Sequence, residues 1–433
     1  MKKLFLFAAV TAVALSSCSK DEVTSTSMDN QEVSFSTYTG ISTKGLVTDT
    51  DGTSTTTGIQ TTGIGVYGFF QDEESWSNTS YNFTPNFMYN QQVTYAASAW
   101  SYTPVKYWSN DTADKYSFFA YAPYSGYTDS GITTNSANTA SGAPSIKYTI
   151  NSDATKMVDF VAGQVVDIFR GGQTAQANVT TATNKVDFYL KHQLSRVKFT
   201  GKTNITTTDN ATANTVVVVK NMYITGNTAS AVSSSLTSSE FYTDAVYTFD
   251  DTTTTSTNTD HTQDGTWSSP TAATTDYNFT GLVSSATAAE LTINSIATSY
   301  NTTSTAVITN DATEDAIFTD GQYLFLIPPT STGLSGDDKM YIYITYDIVT
   351  ADSELDGKYT VSSNAVTIAL PSTTLHPGVA YNMILTFSLY EVTLSATVVD
   401  WDTTTANEST GTTTGTSTDG TTVDTTGIPV TTT

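Results

Sequence analysis

The sequence predicts an all-β protein with room for two hydrophobic cores, and three observations carry that expectation. Thr, Ser, Tyr, Val and Asn dominate the composition, with 25 Tyr and 19 Phe, and these side chains favour strands and turns over helices. No stretch sustains a 3.6-residue apolar period long enough for a long amphipathic helix. Strict alternation does recur, as in Val392, Leu394, Ala396 and Val398 set against Glu391, Thr393 and Ser395, the pattern of a strand with one buried face. At 433 residues the chain exceeds the size at which single cores stop growing.

Charge and targeting signals narrow the function classes. The formal net charge is −24, from 41 acidic against 17 basic side chains, a surface that repels nucleic acid and anionic lipid headgroups. Residues 1–18 have the parts of an export signal: Lys2 and Lys3, an apolar run from Leu4 to Leu15, then small residues. The run is too short to span a bilayer permanently. Leu15-Ser16-Ser17-Cys18 has the form of a lipobox, in which Cys18 is acylated and becomes the mature N-terminus. Cys18 is the only cysteine, which excludes an internal disulfide and a cysteine metal cluster. Ser19-Lys20-Asp21-Glu22 resembles the tag that directs some Gram-negative lipoproteins to the outer face of the outer membrane.

Val33-Ser34-Phe35-Ser36 alternates apolar with polar, as a half-buried strand does. Gly40, Lys44 and Gly45 follow, and a lone lysine among small residues is open to a trypsin-like protease. The segment therefore reads as a strand that belongs to a sheet and can be cut from it. Residues 45–62 read as a loop, and strands begin at Ile64–Phe70. The block from Tyr95 to Pro123, with Trp100, Tyr102, Tyr107, Trp108, Tyr116, Phe118 and Phe119, is expected in a sandwich core rather than in a sugar-stacking platform. Phe188, Leu190, His192 and Leu194 share one parity while Val197 and Phe199 take the other, which calls for a β-bulge near Ser195–Arg196. His192 then falls on an apolar face and is expected as a packed residue. Further strands are expected at Val216–Val219, Gln322–Pro329, Tyr341–Val349, Val366–Leu370, Tyr381–Phe387 and Val392–Val398, with long loops between about 226 and 310. The tail from Thr403 to Thr433 is mostly Thr, with Ile428 and Val430 as its apolar anchors. Thr is a good strand former when a groove is offered.

Catalytic patterns are missing. There is no His-Glu-x-x-His, Gly-x-Ser-x-Gly, Walker A or Gly-x-Gly-x-x-Gly motif, and the three histidines, His192, His261 and His376, are widely spaced. Asp49-x-Asp51-Gly52 lacks the later ligands of a calcium loop and reads as a turn. The sequence points to no enzyme, no metal and no cofactor.

With these segments placed, the chain resembles the fimbrillin family of secreted pilin lipoproteins. The resemblance rests on the lipobox at Cys18, the strand before Lys44, the Trp100–Pro123 block, Leu190–Phe199, Leu324–Pro328, the Pro377-Gly378-x-x-Tyr381 turn and Val398–Trp401, in that order. His376 stands where the family pattern has Trp, and Ile327-Pro328-Pro329 replaces its Pro-Gln. The resemblance implies two tandem transthyretin-like β-sandwiches, at residues 45–184 and 185–401, preceded by a signal peptide (1–18) and a propeptide (19–44), and followed by a tail (402–433). It implies a structural fimbrial subunit of the stalk, exported as an outer-membrane lipoprotein and cut between Lys44 and Gly45 by an Arg/Lys-directed protease. Loss of the strand carrying Val33 and Phe35 then lets other fimbrial subunits join by strand exchange, with Ile428 and Val430 as candidate donor anchors. Thr112, Thr252, Thr403 and Thr425 follow Asp in triplets similar to an O-glycosylation signal of exported proteins. Two rival readings are a tip or anchor adhesin of the same family that meets a host protein or glycan receptor, and a monomeric glycan-binding surface lipoprotein.

Overall fold

The computed structural model describes residues 31–38, 58–77, 82–151, 156–170, 179–180, 185–205, 214–226, 238–250, 265–278, 289–303, 305–309, 313–318, 323–329, 340–370 and 375–399. They form an all-β molecule of packed sheets. A single five-residue helix, Gly58–Thr62, stands where the sequence reads as loop. It closes through Gly63 N–H donating to Ile59 O at 2.9 Å, and Gly63 takes φ 69°, the left-handed geometry that ends a helix.

The N-terminal half is built on a six-stranded sheet in the order β11-β8-β5-β2-β3-β4. Its strands are β2 (Ile64–Phe70), β3 (Met88–Ala96), β4 (Ala99–Ser101), β5 (Lys115–Ala122), β8 (Val161–Phe169) and β11 (Lys191–His192). Ile64, Val66, Phe118, Ala120, Val161 and Val165 point into one core. Their neighbours Tyr67, Phe69, Phe119, Tyr121, Ala162 and Val166 point into another. The central strands β2, β5 and β8 are buried on both faces and so read as near-continuous apolar runs instead of alternating ones. Trp108, Tyr116, Phe118, Phe119 and Tyr121 are buried, so the later part of the aromatic block is core as the sequence suggests, whereas Tyr95, Trp100 and Tyr102 are half-buried and Tyr107 is exposed.

Each face of this sheet has its own cover. On one lies a three-stranded sheet in the order β1-β10-β9, from β1 (Ser34–Tyr38), β10 (Lys185–Tyr189) and β9 (Val179–Thr180). On the other lies a four-stranded sheet in the order β15-β14-β7-β6, from β6 (Ile132–Thr134), β7 (Ser145–Thr149), β14 (Tyr242–Phe249) and β15 (Gly265–Ala272). That second sheet joins distant parts of the chain, because β14 pairs antiparallel with β7 from Asp244↔Thr149 to Thr248↔Ser145.

The C-terminal half is a sandwich of two sheets. One contains β12 (Ser195–Thr203), β20 (Asp315–Ala316), β21 (Leu324–Leu326), β24 (Ala380–Phe387) and β25 (Val392–Val399), with β12 and β24 parallel. The other contains β13 (Thr215–Ile224), β16 (Tyr277–Asn278), β19 (Ala306–Ile308), β22 (Met340–Ala351) and β23 (Tyr359–Leu370). Val197, Phe199, Met383 and Leu385 meet Val217, Val219, Ile342 and Ile344 between them. A hairpin of β17 (Glu290–Ile293) and β18 (Ile296–Asn301) covers Val216, Val218 and Val349 on the outer face of the second sheet.

The expected bulge at Ser195–Arg196 is replaced by a change of sheet. Phe188 and Leu190 belong to the N-terminal core, whereas Leu194, Val197 and Phe199 belong to the core shared with the C-terminal sandwich. The strand stops at Tyr189, β11 adds two residues to a different sheet, and β12 starts a third. Parity is reset because the chain passes from one core to the next, without an extra residue inside one ladder.

Candidate functional site

Residues 31–38 lie in a groove, with β1 paired on one side and the residues just before it bonded on the other. Along one side β1 pairs parallel with β10, from Ser34↔Lys185 to Tyr38↔Tyr189. Along the other, Val33 N–H donates to Lys106 O and Trp108 N–H donates to Gln31 O, each at 2.9 Å, with an antiparallel bridge between Glu32 and Tyr107. The Tyr102 hydroxyl closes this flank by donating to Val33 O at 2.7 Å. Burial pushes the Tyr102 phenol up to about 12.

Period-two alternation decides what the groove receives. Val33 and Phe35 are buried, at 1% and 2% exposure, while Ser34, Ser36 and Thr37 stay half-buried. The Phe35 ring stacks on Phe188 at 5.6 Å, meets Phe118 edge-on at 5.7 Å and lies against Tyr102 at 5.4 Å. On the other face the Ser36 hydroxyl donates to the Asp187 carboxylate. Burying Val33 and Phe35 contributes about 1.5–3 kcal/mol each. Ordering a backbone costs ~1–2 kcal/mol per residue, so a segment this short is held within a few kcal/mol of release. If β1 left, Phe188, Phe118 and Tyr102 would face an open slot bordered by unpaired backbone groups of β10.

Among the expected site residues, Val33 and Phe35 sit together in this groove. Cys18, Lys44, Gly45, Thr252, Thr403, Thr425, Ile428 and Val430 lie outside the described residues. Thr112 is exposed, beside a turn in which Asp111 Oδ1 accepts the Ala113 N–H at 2.8 Å. Sequence reasoning missed the parallel partner β10 and the flank at Tyr102–Trp108. The only local signal was the matching apolar parity of Val186, Phe188 and Leu190.

His192 and Ser195 do not form a nucleophile pair. His192 Nδ1 meets Asp159 Oδ2 at 2.5 Å, and the Ser195 hydroxyl donates to His376 O at 2.8 Å. Asp159 is fully buried, and that burial raises its carboxyl above the ordinary value against the opposing pull of His192. Trp267 Nε1 donates to Gln193 O at 2.9 Å, and the Arg196 guanidinium lies 3.7 Å over the Tyr323 ring. These groups cluster where the chain crosses between cores.

No protein-family model matches the sequence. The chain is 26% identical over 408 residues to the fimbrium subunit Fim1C of Phocaeicola vulgatus, covering 91% of this chain and 94% of that one. Its fold is similar to the crystal structure of a fimbrial protein from Bacteroides vulgatus, with a TM-score of 0.65 and 24% identity, across 86% of this chain and all of the other. The chain is thus similar in sequence to a fimbrium subunit, and its fold is similar to that of a fimbrial protein.

Proposed function

We propose that the chain is a structural subunit of a surface fimbrium, in the stalk, that assembles by exchanging β1 for a strand of another subunit. The observation that carries this reading is the seat of β1. It is short, anchored by Phe35 and the adjoining Val33, paired with β10 on one side, flanked through residues 31–33 by the 106–108 segment, and followed closely by Lys44. Cutting between Lys44 and Gly45 would free the strand, leaving a groove with unpaired backbone groups and open apolar pockets, a state that sheets avoid. An incoming strand gains main-chain hydrogen bonds and fills the pockets of Val33 and Phe35 by β-augmentation. The donor is the tail from Thr403 to Thr433, with Ile428 and Val430 two residues apart on one strand face. Pro429 fits where its missing N–H points away from the acceptor.

Export completes the scheme. Cys18 carries the lipid that holds the precursor at the outer membrane, and the cut releases the chain from it into an extracellular fimbrium. Thr112, Thr252, Thr403 and Thr425 are the candidate O-glycosylation positions. The experiment is trypsin treatment of purified precursor followed by electron microscopy. Rod-like polymers are expected, and a cleaved protein that stays monomeric contradicts the stalk assignment. Lys44→Ala precursor is expected to remain monomeric, and cleaved chain lacking residues 427–433 is expected to form no long fibres.

A further inference from the structure

Strand register gives the molecule two poles. From Gln193, where the chain crosses between cores, β12 and the parallel β24 run outward to Thr203 and Phe387. β22 ends at Ala351 and β23 begins at Tyr359 on the same side. Their ends are tied, with Asn204 N–H donating to Phe387 O at 3.1 Å and Ala351 N–H to Asn214 O at 2.8 Å. In the other direction, β10 starts at Lys185, β1 starts beside it, and Val33 bonds to Lys106. One pole therefore carries residues 351–361 and 387–392, and the other carries residues 105–108.

Seven large apolar side chains are exposed among the described residues. Leu355, Val361, Leu389 and Tyr390 lie at the first pole, with Tyr390 at 91% exposure. Val105 and Tyr107 lie at the second, at 39% and 46%. The seventh, Tyr89, is engaged through its hydroxyl with Ser136 O and edge-on with Tyr67. The Tyr390 turn is prebuilt. Ser388 N–H donates to Glu391 O, and Ser388 Oγ accepts from Tyr390 N–H and Glu391 N–H. Presenting Tyr390 on a fixed turn lowers the ordering cost of a contact.

Charge complements this placement. Exposed Glu391 adjoins Tyr390, whereas half-buried Lys106 stands between Val105 and Tyr107. Exposed Glu32 bridges to Tyr107, and it lies upstream of Lys44, so it would depart with β1. The Lys106 ammonium lies 5.8 Å from the centre of the Phe87 ring.

Resting on the strand-exchange reading above, we propose a direct head-to-tail contact between copies of this chain. The Leu389–Glu391 turn of one copy seats on the Val105–Tyr107 rim of the next, with Tyr390 against Tyr107 and Glu391 toward Lys106. Different patches at opposite poles form a heterologous contact, and such contacts propagate into filaments instead of closing into dimers. So few side chains fall short of a stable interface alone. The contact therefore works with strand insertion, registering each subunit on its neighbour.

Cysteine chemistry tests it directly, because Cys18 is the only cysteine and cleavage after Lys44 removes it. In the Tyr107→Cys/Tyr390→Cys variant, oxidation of assembled, cleaved chain should give a reductant-sensitive ladder of multimers on a denaturing gel, and each single variant no more than dimer. Lys106→Glu and Glu391→Lys should each slow assembly by at least about fivefold, and combining them should restore the rate. Polymer with no ladder, together with single charge reversals that assemble at the parent rate, overturns the contact and leaves the subunit reading standing. Absence of polymer from the cleaved parent chain overturns both.

Discussion

At the scale of single residues, the groove and the crossing point make different demands on their side chains. Phe35 fills a pocket bounded by Phe188, Phe118 and Tyr102. Phe35→Ala should destabilise the N-terminal half by about 3–5 kcal/mol, measured by urea unfolding. Loss of less than about 1 kcal/mol would mean that the strand is not anchored there. At the crossing, His192→Ala leaves the fully buried Asp159 carboxylate without this partner. Removing one member of a buried pair costs about 3–5 kcal/mol. The pH dependence follows from the raised Asp159 carboxyl. A carboxyl whose folded pKa is raised contributes stability below its ordinary value and loses it as pH climbs through the folded pKa. Without His192 that pKa rises further, so the penalty in His192→Ala should be largest at neutral pH and shrink on acidification. An equal penalty at acid and neutral pH would show that the pair is not what the substitution breaks.

At the scale of elements, legibility in the sequence depended on range. β2 is found over Ile64–Phe70 as the apolar run suggests, β24 falls on the expected Tyr381–Phe387 segment, and β25 on the alternating Val392–Val398 segment. These patterns are local, set by which face a strand buries. The partner of β1 was not legible, because Phe35 and Val186 are brought together by topology and nothing near Phe35 encodes a parallel neighbour so distant in sequence. The parity flip after Leu194 was visible but had two physical causes, a bulge or a change of sheet, and periodicity alone does not separate them. The reach of β14 and β15 back to β7 was likewise hidden in a Thr-rich stretch. That hairpin makes its own prediction. Trp267 packs on Phe160, Tyr148 and Tyr247 and hydrogen-bonds Gln193 O. Trp267→Ala should cost about 3 kcal/mol and split one unfolding transition into two. A single, unshifted transition in calorimetry would argue that the hairpin does not couple the halves.

At the scale of the whole molecule, net charge and strand exchange act against each other. Copies carrying −24 repel at low ionic strength, and salt screens that repulsion within about 8 Å at 0.15 M. Assembly of cleaved chain should therefore speed up as salt is added, and light scattering that shows slower assembly would contradict an electrostatic barrier. The central claim is that β1 occupies a place which another strand later fills. Hydrogen exchange at those backbone amides of Lys185–Tyr189 that face β1, as opposed to β9, reads that place most directly. These amides should be protected in the intact precursor, exchange rapidly in cleaved monomer from which β1 has departed, and regain protection in the polymer. Unchanged exchange across all three states would contradict strand replacement.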